Sequence, residues 1–446
     1  MIHAVVLAAG LGTRMRSNLA KVLHPLLGRP MVGWVLAALR ELGAEVTVVV
    51  GHQAEAVEAA LAGPHIHFVR QEQPRGTGDA IRAALPTLPS QGPVLVLAGD
   101  TPLLTAATLR RLLNGHQGPV TVGTFEVEDP TGYGRILRSA EGIRIVEQAD
   151  CGPVEAAIRE VNSGAYVFEA AFLHEAVGGL RPHPPKNEYY ITDLVTTGAR
   201  AVAGFSAQEF MGINDRAALA EARLLLRRRV NRSWALQGVD FPDLDSVQVD
   251  VGVELEPDAK LGFGSILQGK SRISGEVGPH CVVRDTIIEK GAALLAGTVA
   301  EGAVVAAGAV VGPMAHLRPG TVLEAKVKVG NFVEVKNARL HPGAKASHLS
   351  YLGDAEVGAE ANIGAGTITC NYDGFRKHRT EIGPGAFIGS NSSLVAPVRV
   401  GGGAIVGAGT VVTEEVPEGA IAVARPPLRI SKDSAERLRK RLKGGA

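Results

Sequence analysis

Two groups of residues have types and spacings that could do chemistry. In the first half, Gly10-Leu11-Gly12-Thr13-Arg14-Met15 directly follows an apolar run, Lys21 comes seven residues after Arg14, and Asp100 closes Ala98-Gly99-Asp100. Glycine amides can approach phosphate closely while nearby cations offset its charge. The loop alone is weak evidence, because Met15 stands where a dinucleotide fingerprint has its third glycine and no Gly-Lys-Ser/Thr completes a P-loop. More polar residues stand beside turn signals: Gln71, Gly76-Thr77-Gly78-Asp79, Gly132-Tyr133-Gly134-Arg135, Glu147, Asn162-Ser163-Gly164 and Gly212-Ile213-Asn214. Each alone is an ordinary turn residue; together they outline a pocket for a base and a sugar. In the second half the candidates are polar stretches at 314–318, 334–336, 345–351 and 370–376, which break an otherwise regular repeat. Such insertions mark function or a subunit contact. Taken singly, His316, His341, His348 and His378 read as surface or contact histidines.

The elements that must carry these residues follow from periodicity. Counting in sixes from Val305 gives Val311, Leu317, Leu323, Val329 and Val335, and from Ile382 it gives Ile388, Leu394, Val400, Val406 and Val412. A helix needs an apolar repeat near 3.6 and a flat strand a repeat of 2. A strict six predicts short strands joined by tight corners, wound into a triangular solenoid with one aliphatic per side along its axis. Looser traces extend it from about Val251 to about Val423, interrupted between Cys370 and Glu381. In the first half, expected strands at 3–9, 46–50, 66–69 and 94–97 alternate with expected helices at 33–42 and 55–61. That alternation predicts a parallel sheet covered on both faces, with ligands beyond the carboxyl ends of its strands. A long helix over 215–237 joins the halves, and its arginines 227–229 are expected on a solvated face. A basic helix after Ile430 reads as a terminal tail.

Composition narrows the possibilities. The 446 residues carry a net charge of +1, which gives no general reason for nucleic acid or a membrane surface as partner. Cys151, Cys281 and Cys370 form no CxxC pair and read as free thiols of a reducing compartment. The opening Met-Ile-His-Ala-Val-Val-Leu lacks a basic leader, so a cytoplasmic location is expected. The apolar stretch 292–311 holds Glu301 and keeps the six-residue period, which predicts a soluble wall in place of a bilayer helix.

The motifs LAAGLGTRM, AKVLHPLLGRPM, QEQPRGTGDA, AGD, TGYGRI, IVEQADC, VNSGAYVF, NEYYITD and GIND occur in the order seen in sugar-nucleotide pyrophosphorylases. With SHLSYLGDAEVGAEANIGAGTITCNYDG behind them, the chain resembles the bifunctional bacterial N-acetylglucosamine-1-phosphate uridylyltransferase/glucosamine-1-phosphate N-acetyltransferase family over nearly its whole length. It departs from that pattern at Ala20, where family members often have proline before the lysine. The resemblance implies an α/β nucleotidyltransferase (Rossmann-like, mostly parallel sheet) joined by a long helix to a left-handed parallel β-helix of hexapeptide repeats. The domains would be 1–227, a connector at 228–248, and 249–446.

The same resemblance assigns roles. Leu7, Ala8, Ala9 and Gly10, with Gln71, Gly76 and Thr77, would contact the uridine nucleotide, and Arg14 and Lys21 would hold phosphates. Asp100 and Asn214 would hold Mg²⁺, while Gly134, Glu147 and Asn162 would bind the sugar. In the second half it implies His348 as general base, with Arg318 and Lys336 on the substrate phosphate and Tyr351 and Asn362 on the amino sugar. Asn371 and Tyr372 are assigned to the amino sugar or the coenzyme, and Ala365, Ser390, Ala408 and Arg425 to acetyl-CoA. The residue types suit that chemistry. A sugar phosphate attacking UTP needs alignment and charge neutralisation in place of a protein nucleophile. An amine attacking a thioester needs an acceptor for its proton, which imidazole supplies. The implied substrates are UTP, N-acetylglucosamine 1-phosphate, glucosamine 1-phosphate and acetyl-CoA, in a cytoplasmic homotrimer. The alternatives are a nucleotidyltransferase using the solenoid only as an assembly or regulatory arm, and a nonenzymatic scaffold.

Overall fold

The computed structural model describes residues 2–444. It contains two compact units, Met1–Val230 and Asn231–Ala446.

The first unit is built on a sheet of nine strands: β1 (Ile2–Leu7), β2 (Ala44–Val50), β3 (Ile66–Arg70), β4 (Pro93–Ala98), β5 (Val120–Glu126), β6 (Arg135–Ser139), β7 (Gly142–Val146), β8 (Glu160–Glu169) and β9 (Arg200–Val202). The main path runs β9-β5-β8-β4-β1-β2-β3, and the hairpin β6–β7 hangs from β8. β1 pairs in parallel with β2 and β4, and β2 with β3. On the main path β8 is the departure from an all-parallel sheet, lying antiparallel to both β4 and β5. Because neighbouring side chains alternate across a strand, Val5, Val49 and Val96 enter one core and Val6, Val48 and Leu97 the other. Helices α1 (Met31–Glu41), α2 (Ala54–Leu61) and α4 (Ala106–Asn114) cover the second core. The first is covered by α3 (Thr77–Ala84) and α5 (Ala170–Ala176). Burial on both faces explains why these strands read as continuous apolar runs.

Helix α6 spans Arg216–Ala235, inside the expected 215–237, and its N-terminus is capped by Asp215, whose Oδ1 accepts from the Ala218 amide at 2.9 Å. The boundary between the units falls within this helix, after Val230. The arginine run is not the uniformly solvated face expected from sequence. Arg228 is exposed, whereas Arg229 turns inward to donate to the Leu103 carbonyl at 2.8 Å, and burial lowers its pKa. Arg227 is also partly covered. A three-residue run sweeps most of a helical turn, so its members cannot share one face.

The second unit is a coil of three parallel sheets with 10, 9 and 10 strands. The first wall runs from Gln248–Val249 to Val411–Val412, the second from Glu254–Leu255 to Val398–Val400, and the third from Lys260–Leu261 to Ile421–Ala422. Up to the last turn, each wall receives every third strand, as a triangular coil requires. Val305, Val311, Leu317, Leu323, Val329 and Val335 are all fully buried on the axis. So are Ile388, Leu394, Val400 and Val406. Val251 and Val423, the estimated limits of the repeat, themselves face solvent. Buried corner hydroxyls satisfy carbonyls three residues back, as Thr321 does to Arg318 and Thr367 to Gly364, each at 2.7 Å. The predicted interruption is a loop between strands Ile368–Cys370 and Thr380–Ile382. The terminal helix α7 (Ser434–Lys443) buries none of its residues.

Candidate active sites

Leu7 pairs with Ala98 of β4 and with Val49 of β2, so the glycine loop leaves β1 between two parallel neighbours. The chain order reverses here, from β1 outward to β2 and β3, then back to β4 on the other side. That reversal opens a crevice at the carboxyl ends of the strands. A cleft of about 430 Å³ occupies it, lined among others by Leu7, Ala8, Ala9, Gly10, Lys21, Gln71, Gly76, Thr77 and Asp100. Of the expected nucleotide contacts, only Arg14 stands outside this lining. Its side chain is exposed and has no hydrogen-bond or ion-pair partner among the described residues.

The floor of the cleft is a charged cluster. The Lys21 ammonium is ion-paired with Asp100 and donates to Asn214 Oδ1 at 2.9 Å. The Ile213 amide donates to the Asp100 carbonyl at 2.9 Å, which brings Asn214 beside the strand end. Gly12 has φ of +61°, and a Cβ there would lie 2.6 Å from Lys21 Cβ, so this glycine makes room for the lysine. One carboxylate and one amide oxygen thus converge on a single cationic atom. Such a pair of hard oxygens suits Mg²⁺, which takes its remaining ligands from phosphate oxygens and water. Among the described residues there is no cluster of three His, Cys, Asp or Glu able to hold a metal without such help.

Gln71 is buried, and its Nε2 donates to the Gly76 carbonyl and to Asp79, both at 3.0 Å. Thr77 Oγ1 accepts from the Ile191 amide at 3.0 Å, tying the segment 188–191 over the same cleft. The three expected sugar contacts also come together. Asn162 N–H donates to the Gly134 carbonyl at 2.9 Å, and a Cβ on Gly134 would lie 3.6 Å from Glu147 Oε2. Glu147 Oε1 accepts from the Thr192 hydroxyl at 2.8 Å, and Asn162 Nδ2 donates to Tyr166 at 2.7 Å. Thr192, Glu188 and Tyr190 were not singled out from sequence. Their order in NEYYITD was the available signal.

On the coil, His348 is exposed, and its Nδ1 lies 3.1 Å from Asn331 Oδ1 on the preceding turn. An amide oxygen only accepts, so this bond places the ring proton on Nδ1 and leaves Nε2 with a lone pair able to accept a proton. Asn331 was not recognised from sequence, because its interest lies only in the register that sets it beside His348. The same wall pairs Lys345 with Asn362, Asn362 with Phe387 and Phe387 with Ile405. Continued three residues onward, that register stacks His348, Ala365, Ser390 and Ala408 on one corner, with successive strands about 4.8 Å apart. Backbone bonds repeat there, from Asn391 N–H to the Ala365 carbonyl and from Gly409 N–H to the Ser390 carbonyl, each at 2.8 Å. Arg425 folds back beside Ala408, since a Cβ on Gly407 would meet its Nη2 at 3.5 Å.

A second cluster is built on the adjoining strands Glu334–Lys336 and Tyr351–Gly353. Arg318 donates to Glu334 at 2.7 Å, and this contact raises the guanidinium pKa. Lys336 has its pKa lowered chiefly by its neighbour Lys377, then by Arg318. Lys377, another residue the sequence did not single out, lies in the inserted loop. Asn371 is buried and donates to Asp354. A Cβ on Gly353 would collide with the Tyr351 hydroxyl and the Asn371 amide, so those two groups adjoin. Tyr372 is exposed and donates to the Gly374 carbonyl at 2.6 Å. The loop is closed by Asp373, which accepts from the Arg376 and Phe375 amides and pairs with His378. These bonds hold its carboxyl down to about 2.

Two family models match the chain: a MobA-like NTP transferase domain over residues 4–152 and the bacterial transferase hexapeptide (six repeats) over residues 379–414. A protein of Thermus thermophilus named Bifunctional protein GlmU is 52% identical over 438 residues, covering 95% of this chain and 96% of the relative. Proteins of the same name from Trichlorobacter lovleyi and Sorangium cellulosum are 50% and 46% identical, covering 95% and 100% of this chain and 96% and 98% of their own lengths.

Proposed function

The chain belongs to the family of bifunctional GlmU proteins, and on that premise we propose a division of labour between its two units. The coil acetylates glucosamine 1-phosphate with acetyl-CoA, and the α/β unit couples the product to UTP, releasing pyrophosphate. This supplies UDP-N-acetylglucosamine.

For uridylyl transfer, the observation that carries the reading is the meeting of Lys21 with Asp100 and Asn214 at the strand reversal, where Lys21 and Asp100 line the cleft. A phosphate oxygen of the sugar phosphate is already anionic and attacks the α-phosphorus of UTP without a protein base. Gln71, Gly76 and Thr77 hold the base, and the backbone of Leu7–Gly10 meets the nucleotide. Gly134, Glu147 and Asn162 set the sugar, with Thr192 fixing one oxygen of Glu147 so that the other is free for a hydroxyl. Lys21 and Arg14 neutralise the phosphates. Asp100 and Asn214 would hold Mg²⁺, which when bound supplies charge stabilisation to the phosphate oxygens. Lys21 must then leave both oxygens for phosphate, a change of partner within reach of one flexible side chain.

For acetyl transfer, the reading is supported by the shared corner of His348, Ala365, Ser390 and Ala408. A coenzyme laid along it would bring its thioester to His348. The amine of glucosamine 1-phosphate attacks the thioester carbon and loses a proton to His348 Nε2. The C–N bond forms, the C–S bond breaks, and the departing thiolate takes that proton. Arg318, Lys336 and Lys377 hold the sugar's phosphate, while Tyr351, Asn362, Asn371 and Tyr372 surround the two substrates.

Homotrimer assembly through the coil is supported by the third wall, where Phe387, Ile405 and Ile421 stack in register and remain exposed. A cytoplasmic setting is supported by three cysteines that are all free. Among the described residues, no helix is long and apolar enough to cross a membrane. The test is a coupled assay of the purified protein with glucosamine 1-phosphate, acetyl-CoA, UTP and Mg²⁺. Omitting acetyl-CoA should abolish product, and adding N-acetylglucosamine 1-phosphate should then restore it. Nucleotide product formed from glucosamine 1-phosphate without acetyl-CoA would contradict the assignment.

A further inference from the structure

We infer that Gln53 is a positioning residue for Lys21, an inference that rests on the reading of Lys21 as a phosphate-contacting cation. Gln53 precedes α2 with φ of 57° and ψ of 40°, in the left-handed region that non-glycine residues seldom occupy. Its side chain nevertheless does nothing for its own helix, whose N-terminus receives no side-chain cap. It reaches across to the loop before Lys21, where Nε2 donates to the Asn18 carbonyl at 2.7 Å and Oε1 accepts from the Ala20 amide at 3.0 Å. An unfavourable backbone conformation held for a contact elsewhere points to a role for that contact.

The loop needs such a brace. Residues 16–19 are exposed, and their other hydrogen bonds are local, from Arg16 N–H to the Thr13 carbonyl and from Leu19 N–H to Ser17 Oγ. Among the described residues, the two bonds from Gln53 are the only ones tying 16–20 to a distant segment. Lys21 has to exchange Asp100 and Asn214 for phosphate while the root of its side chain, Cβ, stays pressed against Gly12. With the preceding peptide fixed, only side-chain torsions change in that exchange.

Ala20 carries the argument further. Its φ of −51° and ψ of 135° lie where proline would fit, yet a proline has no N–H to give Gln53. The amide bond to Gln53 and a proline ring are therefore alternative ways of stiffening the same peptide. Gln53→Gly removes the side chain while tolerating the left-handed backbone. In the full chain it should lower kcat/KM for UTP about tenfold, the effect of losing two bonds of ordinary strength from a positioned group. KM for N-acetylglucosamine 1-phosphate and acetyl transfer should not change. Ala20→Pro alone should stay within about twofold of the parent, and added to Gln53→Gly it should restore most of the loss. Uridylyl transfer unaffected by Gln53→Gly, or a loss that Ala20→Pro fails to rescue, would overturn the inference. Lys21→Ala separates the two layers. If it is inactive beside an unaffected Gln53→Gly, the brace alone is wrong; if it keeps full uridylyl transfer, the reading of Lys21 falls and the brace with it.

Discussion

Replacing Asn331 by Asp changes one atom type beside the proposed base while keeping its geometry. The neutral amide oxygen 3.1 Å from His348 Nδ1 becomes a carboxylate oxygen that favours the protonated ring. The ring is exposed, so the attraction is close to its value in water, about 1 kcal/mol for unit charges ~4 Å apart. That corresponds to roughly 0.7 pH unit. Because the base must be unprotonated to work, the acid limb of kcat/KM for acetyl transfer should move to higher pH by about that amount. Well below the limb, activity should fall about fivefold; above it, the rate should match or slightly exceed the parent. Asn331→Leu removes the acceptor that selects the Nδ1–H tautomer and should lower acetyl transfer severalfold at every pH, on the scale of one hydrogen bond of ~1 kcal/mol. His348→Ala should cost on the order of 10²–10⁴. The assay is thiol release from acetyl-CoA across pH, with uridylyl transfer on the same preparations as internal control. An acid limb that stays put in Asn331→Asp, or moves to lower pH, would refute the assignment of Nε2 as base with Nδ1 held by Asn331.

Asp100→Asn should lower uridylyl transfer by at least ~10²-fold, as expected when a charge that organises phosphate and metal is lost, while acetyl transfer is retained. Pyrophosphate release and thiol release measured on one sample check this, and parallel loss of both would contradict two separate sites. Lys336 loses its proton at lower pH than an ordinary lysine because Lys377 lies beside it. Phosphate binding should accordingly weaken on the alkaline side earlier than for a lone lysine. Lys377→Met should weaken binding of glucosamine 1-phosphate and at the same time move that alkaline limb upward. A KM–pH series reads both, and a limb that moves down would show that Lys336 is not the titrating group.

Much of this architecture could be read in the chain itself. The sixfold count from Val305 and Ile382 predicted which side chains line the axis, because in a coil of short strands each residue's direction is set by its place in the local repeat. The apolar runs before Gly10 and Asp100 likewise marked strand ends, and the motifs supplied the names of most residues now found around the two sites. The arginines 227–229 show where local reading failed. Sequence lists their charge, but only packing against Leu103 decides which of them turns inward.

What the tertiary structure alone decided is who meets whom. Lys21, Asp100 and Asn214 come together across separations of 79 and 193 residues because β4 returns to the opposite side of β1 from β2 and β3. No periodicity encodes that reversal. On the coil, His348, Ala365, Ser390 and Ala408 share a corner at unequal intervals in sequence, since the inserted loop lengthens one turn without disturbing the register on either side of it. Asn331 and Gln53 escaped notice for the same reason: their chemistry is commonplace, and only the neighbour that folding delivers gives it a use. Local pattern is fixed by φ, ψ and side-chain direction, whereas these partnerships depend on strand order and register, which settle only when the whole core is packed.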